Sequence, residues 1–401
     1  MVQVLLGRLS AFGFRLSALR NRYSALGARL SAFGNRLSLL RLRVCRWRAL
    51  CAGVVMVASL AAPAYGRKEK SENTEPQPAP YLLLEGGRTL DFVKTFNNDR
   101  DVSPKRGFFK KVLDVVAGAG ERHQTIRPYS IAIDSRGRAI VADPGAMGIH
   151  IFDFADHKYK FIARNDKEEN SMKAPQCVAV DAQDNFYVTD SETGRIFVFE
   201  AGGKFKRIIG NLKGGEGYFK RPTGIAVDSA AQRIYVTDTL RNKIYVLDMQ
   251  GSVMAMIGKT GTEPGQFNFP TEIVLHGQDL AVVDSMNFRV QVLDRSGAFK
   301  YAVGNVGDND DLGSFFRPKG IGFDSEGHLY VVDAAWSRVQ VFDRLGDLLY
   351  YFGMRGEVPG AFNLPAGMFI DHNDNVYITD SYNNRVQEFA YHGKKEPGGG
   401  Q

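Results

Sequence analysis

Six prolines divide most of this chain into equal parts. Pro128, Pro175, Pro222, Pro270, Pro318 and Pro365 follow one another at intervals of 47, 47, 48, 48 and 47 residues, and each opens a segment that resembles the others. Separate domains would not keep such a spacing, whereas a ring or stack of units, each too small to bury a core alone, requires it. The units begin RPYSIAIDSRGRAIVAD, APQCVAVDAQDNFYVTD, RPTGIAVDSAAQRIYVTD, FPTEIVLHGQDLAVVD, RPKGIGFDSEGHLYVVD and LPAGMFIDHNDNVYITD.

Each opening holds two short apolar runs about a turn rich in Gly, Asp, Asn and Ser, the pattern of a hairpin. A third run follows in every unit (IHIFDF, RIFVFE, KIYVLD, RVQVLD, RVQVFD, RVQEFA), rich in β-branched and aromatic residues that suit a pleated surface. A fourth follows the next glycine turn, as in GKFKRIIG, GSVMAMIG, GAFKYAVG and GDLLYYFG. No stretch of the repeats sustains a helical apolar period. The expected fold is therefore all-β: six four-stranded antiparallel blades closed radially into a six-bladed β-propeller. The sixth unit ends after its third run, at RVQEFAYHG, so its fourth strand must come from upstream. Thr89 to Phe96, within GGRTLDFVKTF, has the pattern of a fourth strand and is expected to close the ring. The rival segment, FFKKVLDVVAG from Phe108 to Gly118, reads as a short amphipathic helix.

The recurrence of Pro-x-Gly-Ile-Ala-Val-Asp, Ile-Tyr-Val-Thr-Asp and Asn-x-Arg-Val-Gln-Val-Phe resembles the NHL-repeat family of six-bladed propellers over roughly residues 88 to 391. The resemblance implies the fold. It implies less about activity, because NHL propellers include protein- and RNA-binding modules, sensor ectodomains of receptor kinases and a peptide-amidating lyase.

The first third of the chain is organised differently. Residues 1–42 contain heptads of Arg, Ser and Leu (RLSAFGF, RLSALRN, RYSALGA, RLSAFGN, RLSLLRL), with arginine at one position throughout and no acidic residue before Glu69. Ser and Gly within the repeat, and the lack of opposite charge, do not suit a coiled coil. A start codon placed too early is the expected explanation, with a basic amphipathic segment on an anionic membrane as the rival. Residues 43–66 read as a signal peptide: Arg43, Arg46 and Arg48, then ALCAGVVMVASLAA, then small residues before a cleavage point. The apolar run is shorter than the roughly 20 residues a spanning helix needs. Residues 67–87 are polar and proline-bearing, expected as a disordered linker, residues 88–391 form the propeller, and residues 392–401 a flexible tail.

Charge changes sign with processing. The whole chain carries 51 basic and 44 acidic residues; ten arginines and no acids fall in residues 1–66, leaving 41 against 44, a net of −3. A strongly basic domain would have pointed to nucleic acid, so nucleic acid is not the expected partner. Of the three cysteines only Cys177 remains after processing, so no internal disulfide is expected, and Cys177 reads as a buried small hydrophobe.

Several residues invite a functional reading. Asp ends the second strand and a base follows five residues on, as Asp190/Arg195, Asp284/Arg289, Asp333/Arg338 and Asp380/Arg385, with Lys243 after Asp238. Such recurrence reads as a charge-assisted clasp of the hairpin rather than a reaction centre. Asp143 lacks the basic partner, which marks blade 1's loop as the one to be specialised. Small residues two and four places after the prolines avoid overpacking near the axis, and Glu272 and Phe369 depart from that rule. Glu272 is a candidate channel ligand, with a salt bridge to Lys319 as the structural alternative. The seven histidines do not recur at one place, unlike the inward histidines that catalytic relatives of this fold carry, and no Gly-x-Ser-x-Gly elbow occurs. No cofactor is expected.

The loops entering the innermost strands and those joining strands two and three should share one face. That face is expected to carry Arg127, Arg221, Arg317, Arg241 and Lys319 with Phe288, Trp336 and Tyr382, the residue types enriched at interfaces. The expectation is a non-catalytic exported propeller, monomeric and periplasmic or at the cell surface, that binds an envelope protein or peptide through this face. It would meet a membrane only through an uncleaved signal segment. The alternative is a propeller enzyme, a metal-dependent lyase or hydrolase acting in the central channel.

Overall fold

The computed structural model describes residues 81–84, 87–102, 123–163, 171–210, 217–305 and 311–393, all within the compact unit Thr74–Gln401. The arginine heptads, the signal segment, the proposed helix at Phe108 to Gly118 and the tail beyond 393 lie outside the described residues.

Five separate sheets of four antiparallel strands and one of five make up the six blades. Blade 3 is representative: Pro222–Asp228, Arg233–Asp238, Lys243–Asp248 and Val253–Ile257 run in order from the axis outward. Among the described residues the regular elements besides strands are two 3-10 turns, Ser285–Asn287 and Ser381–Asn383. The sixth blade closes as expected: Thr89–Phe96 pairs antiparallel with Arg385–His392, placing Phe92 opposite Phe389 and Phe96 opposite Val386. One expectation is corrected here. The end of the segment read as a linker is ordered, because Tyr81–Leu83 adds a fifth strand outside Thr89–Phe96. An apolar YLL beside the unpaired edge of a closing strand satisfies that edge.

The second and third strands of each blade bury both faces while the outermost strands are largely exposed, so the core is distributed between blades. The buried apolar residues fall into six clusters, and each cluster joins two neighbouring blades. One cluster, for example, sets Ile140, Ile149 and Ile151 of blade 1 against Phe186, Val188 and Phe197 of blade 2. Closure is a packing event as much as a pairing one. Phe96, 1% exposed, leaves its own blade and meets Phe152 edge-on at 5.0 Å and Phe154 at 5.1 Å in blade 1.

In blades 2 to 5 the register of the first strand slips by one just after the proline, between Pro175 and Val178, Pro222 and Ile225, Pro270 and Ile273, and Pro318 and Ile321. This bulge re-aims the second residue after each proline toward the axis and fixes which side chains form the waist of the channel.

Candidate functional site

The face on which the first strands begin is built by the recurring aspartates, though differently from the hairpin clasp expected from sequence. Each aspartate is fully buried and accepts backbone N–H groups from the residues just before the proline that opens its own blade. Asp238 holds Lys220 and Arg221 at 2.8 and 3.0 Å, Asp333 holds Phe316 at 2.7 Å, and Asp380 holds Asn363 at 2.7 Å. The carboxylate thereby fixes the loop that enters the innermost strand. The arginine partner is confirmed in blades 4 and 6, where Arg289 and Arg385 Nε donate to Asp284 and Asp380 at 2.9 and 2.7 Å. In blade 3 it is corrected: Arg241, at 3.6 Å, approaches Asp238 in place of Lys243.

A third member of this device is a glutamine seven residues after the aspartate. Gln291 and Gln387 donate to Asp284 and Asp380 and to the carbonyls of Gln266 and Ala361. Gln340 makes the same loop contact, to Ser314. The signal was present in the repeated Arg-Val-Gln, whose polar residue in an otherwise apolar strand demanded a partner. Blade 1 uses His150 at this position, with Nε2 3.4 Å from Asp143 and Nδ1 2.6 Å from the Tyr159 hydroxyl. Burial works against ionisation of Asp143, but its bonds to His150 and to the Ala146 and Ile126 amides hold its carboxyl below the usual range. The loop is therefore a variant of the same clasp. Gly145 permits it, since a Cβ there would lie 2.7 Å from the Arg127 Cβ.

Loops fixed in this way present a common surface. A recess of about 270 Å³ opens among Arg127, Tyr129, Gln176, Arg317, Lys319 and Tyr382. Arg127 and Arg317 are exposed, as is Arg221 farther round the rim. Among the described residues none of these three guanidinium groups has a hydrogen-bond or ion-pair partner. Apolar side chains stand beside them: Phe316 is 57% and Tyr382 56% exposed, and Ile126, Leu240 and Phe269 also face solvent. Arg241 is committed within its own blade, donating to the Tyr218 carbonyl at 2.9 Å and the Tyr245 hydroxyl at 3.1 Å. Trp336 is half-buried rather than exposed, packed on Phe316 and under the Arg338 guanidinium, with its indole N–H enclosed. Phe288 is half-buried at a left-handed position that ends a 3-10 turn. The accessible surface thus comes mainly from residues just before the prolines.

Below the recess the channel narrows. The residues two places after the prolines are Ser130, Cys177, Gly224, Glu272, Gly320 and Gly367, one from each blade. A Cβ on Gly224, Gly320 or Gly367 would come within 2.6, 2.6 and 2.3 Å of the Thr271, Ala366 and Tyr129 carbonyls at the start of the next blade. Small residues here allow adjacent blades to approach, as the sequence suggested. The gap left by Gly224 lets Glu272 reach past blade 3, and the Cys177 thiol donates to its Oε1 at 3.2 Å. Ser130 Oγ donates in turn to Cys177 Sγ at 3.4 Å. The salt bridge considered for Glu272 does not form. Lys319 instead donates to the Tyr129 hydroxyl at 2.9 Å and lies over its ring. Burial pushes the Glu272 carboxyl up to about 7, against smaller opposing effects of Cys177, the Ile273 amide and Lys319. Burial and the neighbouring carboxyl hold the Cys177 thiol well above its usual range. Cys177 is buried in an apolar cluster, as expected of a small hydrophobe, and its protonated thiol in addition serves as a hydrogen-bond donor.

The histidines at the opposite end differ from one another. His276 stacks on Phe323 at 4.6 Å, His328 is bound to Asp324 at 2.8 Å, and His372 is exposed. Among the described residues no three His, Cys, Asp or Glu side chains assemble as a group of metal ligands.

Comparison with known proteins agrees with this architecture. A family model described as NHL repeat matches residues 173–199 and 362–389, and one described as 6-bladed beta-propeller matches residues 226–302. No curated protein matches the chain. Among solved structures, a protein of unknown function from Bacteroides thetaiotaomicron aligns with a TM-score of 0.55 and 16% identity, covering 78% of this chain and 84% of that one. An auxiliary nutrient binding protein from the same organism aligns with a TM-score of 0.52 and 13% identity, covering 67% and 69%. A streptogramin B lyase aligns at 0.48 and 14%, covering 67% and 94%. At such identities the likeness concerns the fold. By its six repeated units, its ring of six blades and the two family-model matches, the chain is an NHL-repeat six-bladed β-propeller.

Proposed function

We propose that this protein is a non-catalytic propeller of the cell envelope that binds a protein or peptide through the face where the first strands begin. The observation that supports this most directly is the recess lined by the unpaired guanidinium groups of Arg127 and Arg317 and by exposed Tyr382, with exposed Phe316 next to Arg317 in the chain. Aromatic and arginine side chains on rigid loops are the usual anchors of interfaces. Arg127, Arg317 and Lys319 around one recess favour a partner segment that offers carboxylates beside apolar side chains. Placement in the envelope rests on the apolar run and small residues at 43–66.

A random peptide display library selected on full-length protein and on an Arg127→Glu, Arg317→Glu variant tests the reading. Wild type should enrich acidic peptides bearing aromatic residues, and the variant should lose them. Equal enrichment on both, or none on either, overturns the assignment to this face. Stoichiometric zinc or calcium in the purified protein, lost on Glu272→Ala, would instead move the function to the channel and support the enzyme reading.

A further inference from the structure

Beneath the waist the channel widens again into a second cavity, of about 220 Å³, on the side away from the arginine face. At about 30 Å³ per water this holds roughly seven waters, the space of a small organic molecule. Most of the side chains along it are apolar, including Val180, Val227, Leu275, Phe323 and Ile370, several of them partly open to the channel, while polar atoms make up close to half of the surface they leave exposed. Apart from His276 at the wide end, its polar side chains meet at the narrow end, where Ser130, Cys177 and Glu272 form the hydrogen-bonded chain described above. A cavity walled mainly by apolar side chains with a few placed polar groups is the usual form of a small-molecule site.

The charge balance at that point is unequal. Glu272 is the single carboxyl among the lining residues, and among the described residues no cation comes within ion-pair distance of it. Lys319, which lines a small gap at the waist together with Glu272, is held there by the Tyr129 hydroxyl. The other titratable groups facing this space are Cys177, which donates to Glu272, and His276 at the wide end, whose protonation is disfavoured chiefly by burial. A buried carboxyl without a counter-charge stays protonated until a cation is brought to it.

We propose that this lower cavity is a binding site for an apolar primary amine. The ammonium sits against Glu272 at the waist, with Ser130 beside it, and the hydrocarbon fills the ring of Val180, Val227, Phe323 and Ile370. Binding converts Glu272 to its carboxylate and releases its proton to solvent.

The test is calorimetric titration of the full-length protein with 2-phenylethylamine and with its neutral counterpart 2-phenylethanol. The amine should bind more tightly than the alcohol above about pH 7. Its affinity should fall as pH drops, approaching tenfold per unit once Glu272 holds its proton. Glu272→Gln should weaken amine binding at least tenfold and flatten its pH profile, while leaving the alcohol unaffected. Val227→Trp should abolish both by filling the cavity. Should either variant fail to fold by circular dichroism, the wild-type pH profile and amine preference decide the matter alone. No binding of the amine to wild type, no preference over the alcohol, or a folded Glu272→Gln protein that retains full amine affinity overturns the proposal.

Discussion

Replacing Asp380 by alanine examines the device that fixes the loop-bearing face. The carboxylate is fully buried and accepts from four donors: the Asn363 amide and Asn383 Nδ2 at 2.7 Å, Arg385 Nε at 2.7 Å and Gln387 Nε2 at 3.2 Å. Bonds to a charged group contribute about 1.5–3 kcal/mol each, but their sum would overstate the loss. Arg385 keeps the carbonyls of Val358 and Ala361, Gln387 keeps Ala361, and Asn383 keeps Gly356. The uncompensated losses are the Asn363 amide and the charge facing Arg385, so the expected cost is about 4 kcal/mol, within the range for breaking a buried ion pair from one side. At about 2 °C per kcal/mol for a domain of this size, the melting temperature should drop by roughly 8 °C. Differential scanning calorimetry and urea denaturation measure it, with Glu357→Ala on an exposed turn as a control within about 0.5 kcal/mol of wild type. Asp380→Asn, which retains one acceptor oxygen, should lose less. A cost below about 1 kcal/mol for Asp380→Ala would refute the view that this carboxylate fixes the entry loop.

Three further perturbations address other parts of the ring. Glu272 holds its proton to about pH 7 in the folded chain and to about 4.5 when unfolded, so the folded state binds more protons between those values. Stability should therefore fall as pH rises through that window, by up to about 3 kcal/mol, and Glu272→Gln should remove that slope in denaturation measured across pH. Gly367→Ala would set a Cβ 2.3 Å from the Tyr129 carbonyl, where blade 6 meets blade 1, and should cost about 2–3 kcal/mol by urea denaturation. Phe96→Ala empties the contact between the closing strand and blade 1 and should cost about 3–5 kcal/mol, with amide exchange rising first in Thr89–Phe96 and Arg385–His392.

The period of 47 to 48 residues, the alternation inside each unit and the missing strand of the sixth were legible because they are local properties that recur. Any unit reports the same hairpin, and a ring that lacks one strand must take it from the other end of the chain. The Asp and Arg recurrence was equally visible, but its main role was not. The amide that each aspartate holds lies about 17 residues upstream, as with Asn363 and Asp380, and backbone groups leave no mark in sequence. The strand Tyr81–Leu83 escaped notice because three residues are too few to show a period, and only the exposed edge beside them gives them a place. The waist of the channel belongs wholly to the tertiary structure. Glu272 and Cys177 stand 95 residues apart on blades that are not neighbours. They meet because the bulges after the prolines turn both toward the axis and Gly224 leaves room between them. The sequence alone determined which six residues form that ring. Which of them touch, and that Lys319 turns to Tyr129 while Glu272 stays without a counter-charge, was decided when the six blades closed around a common axis.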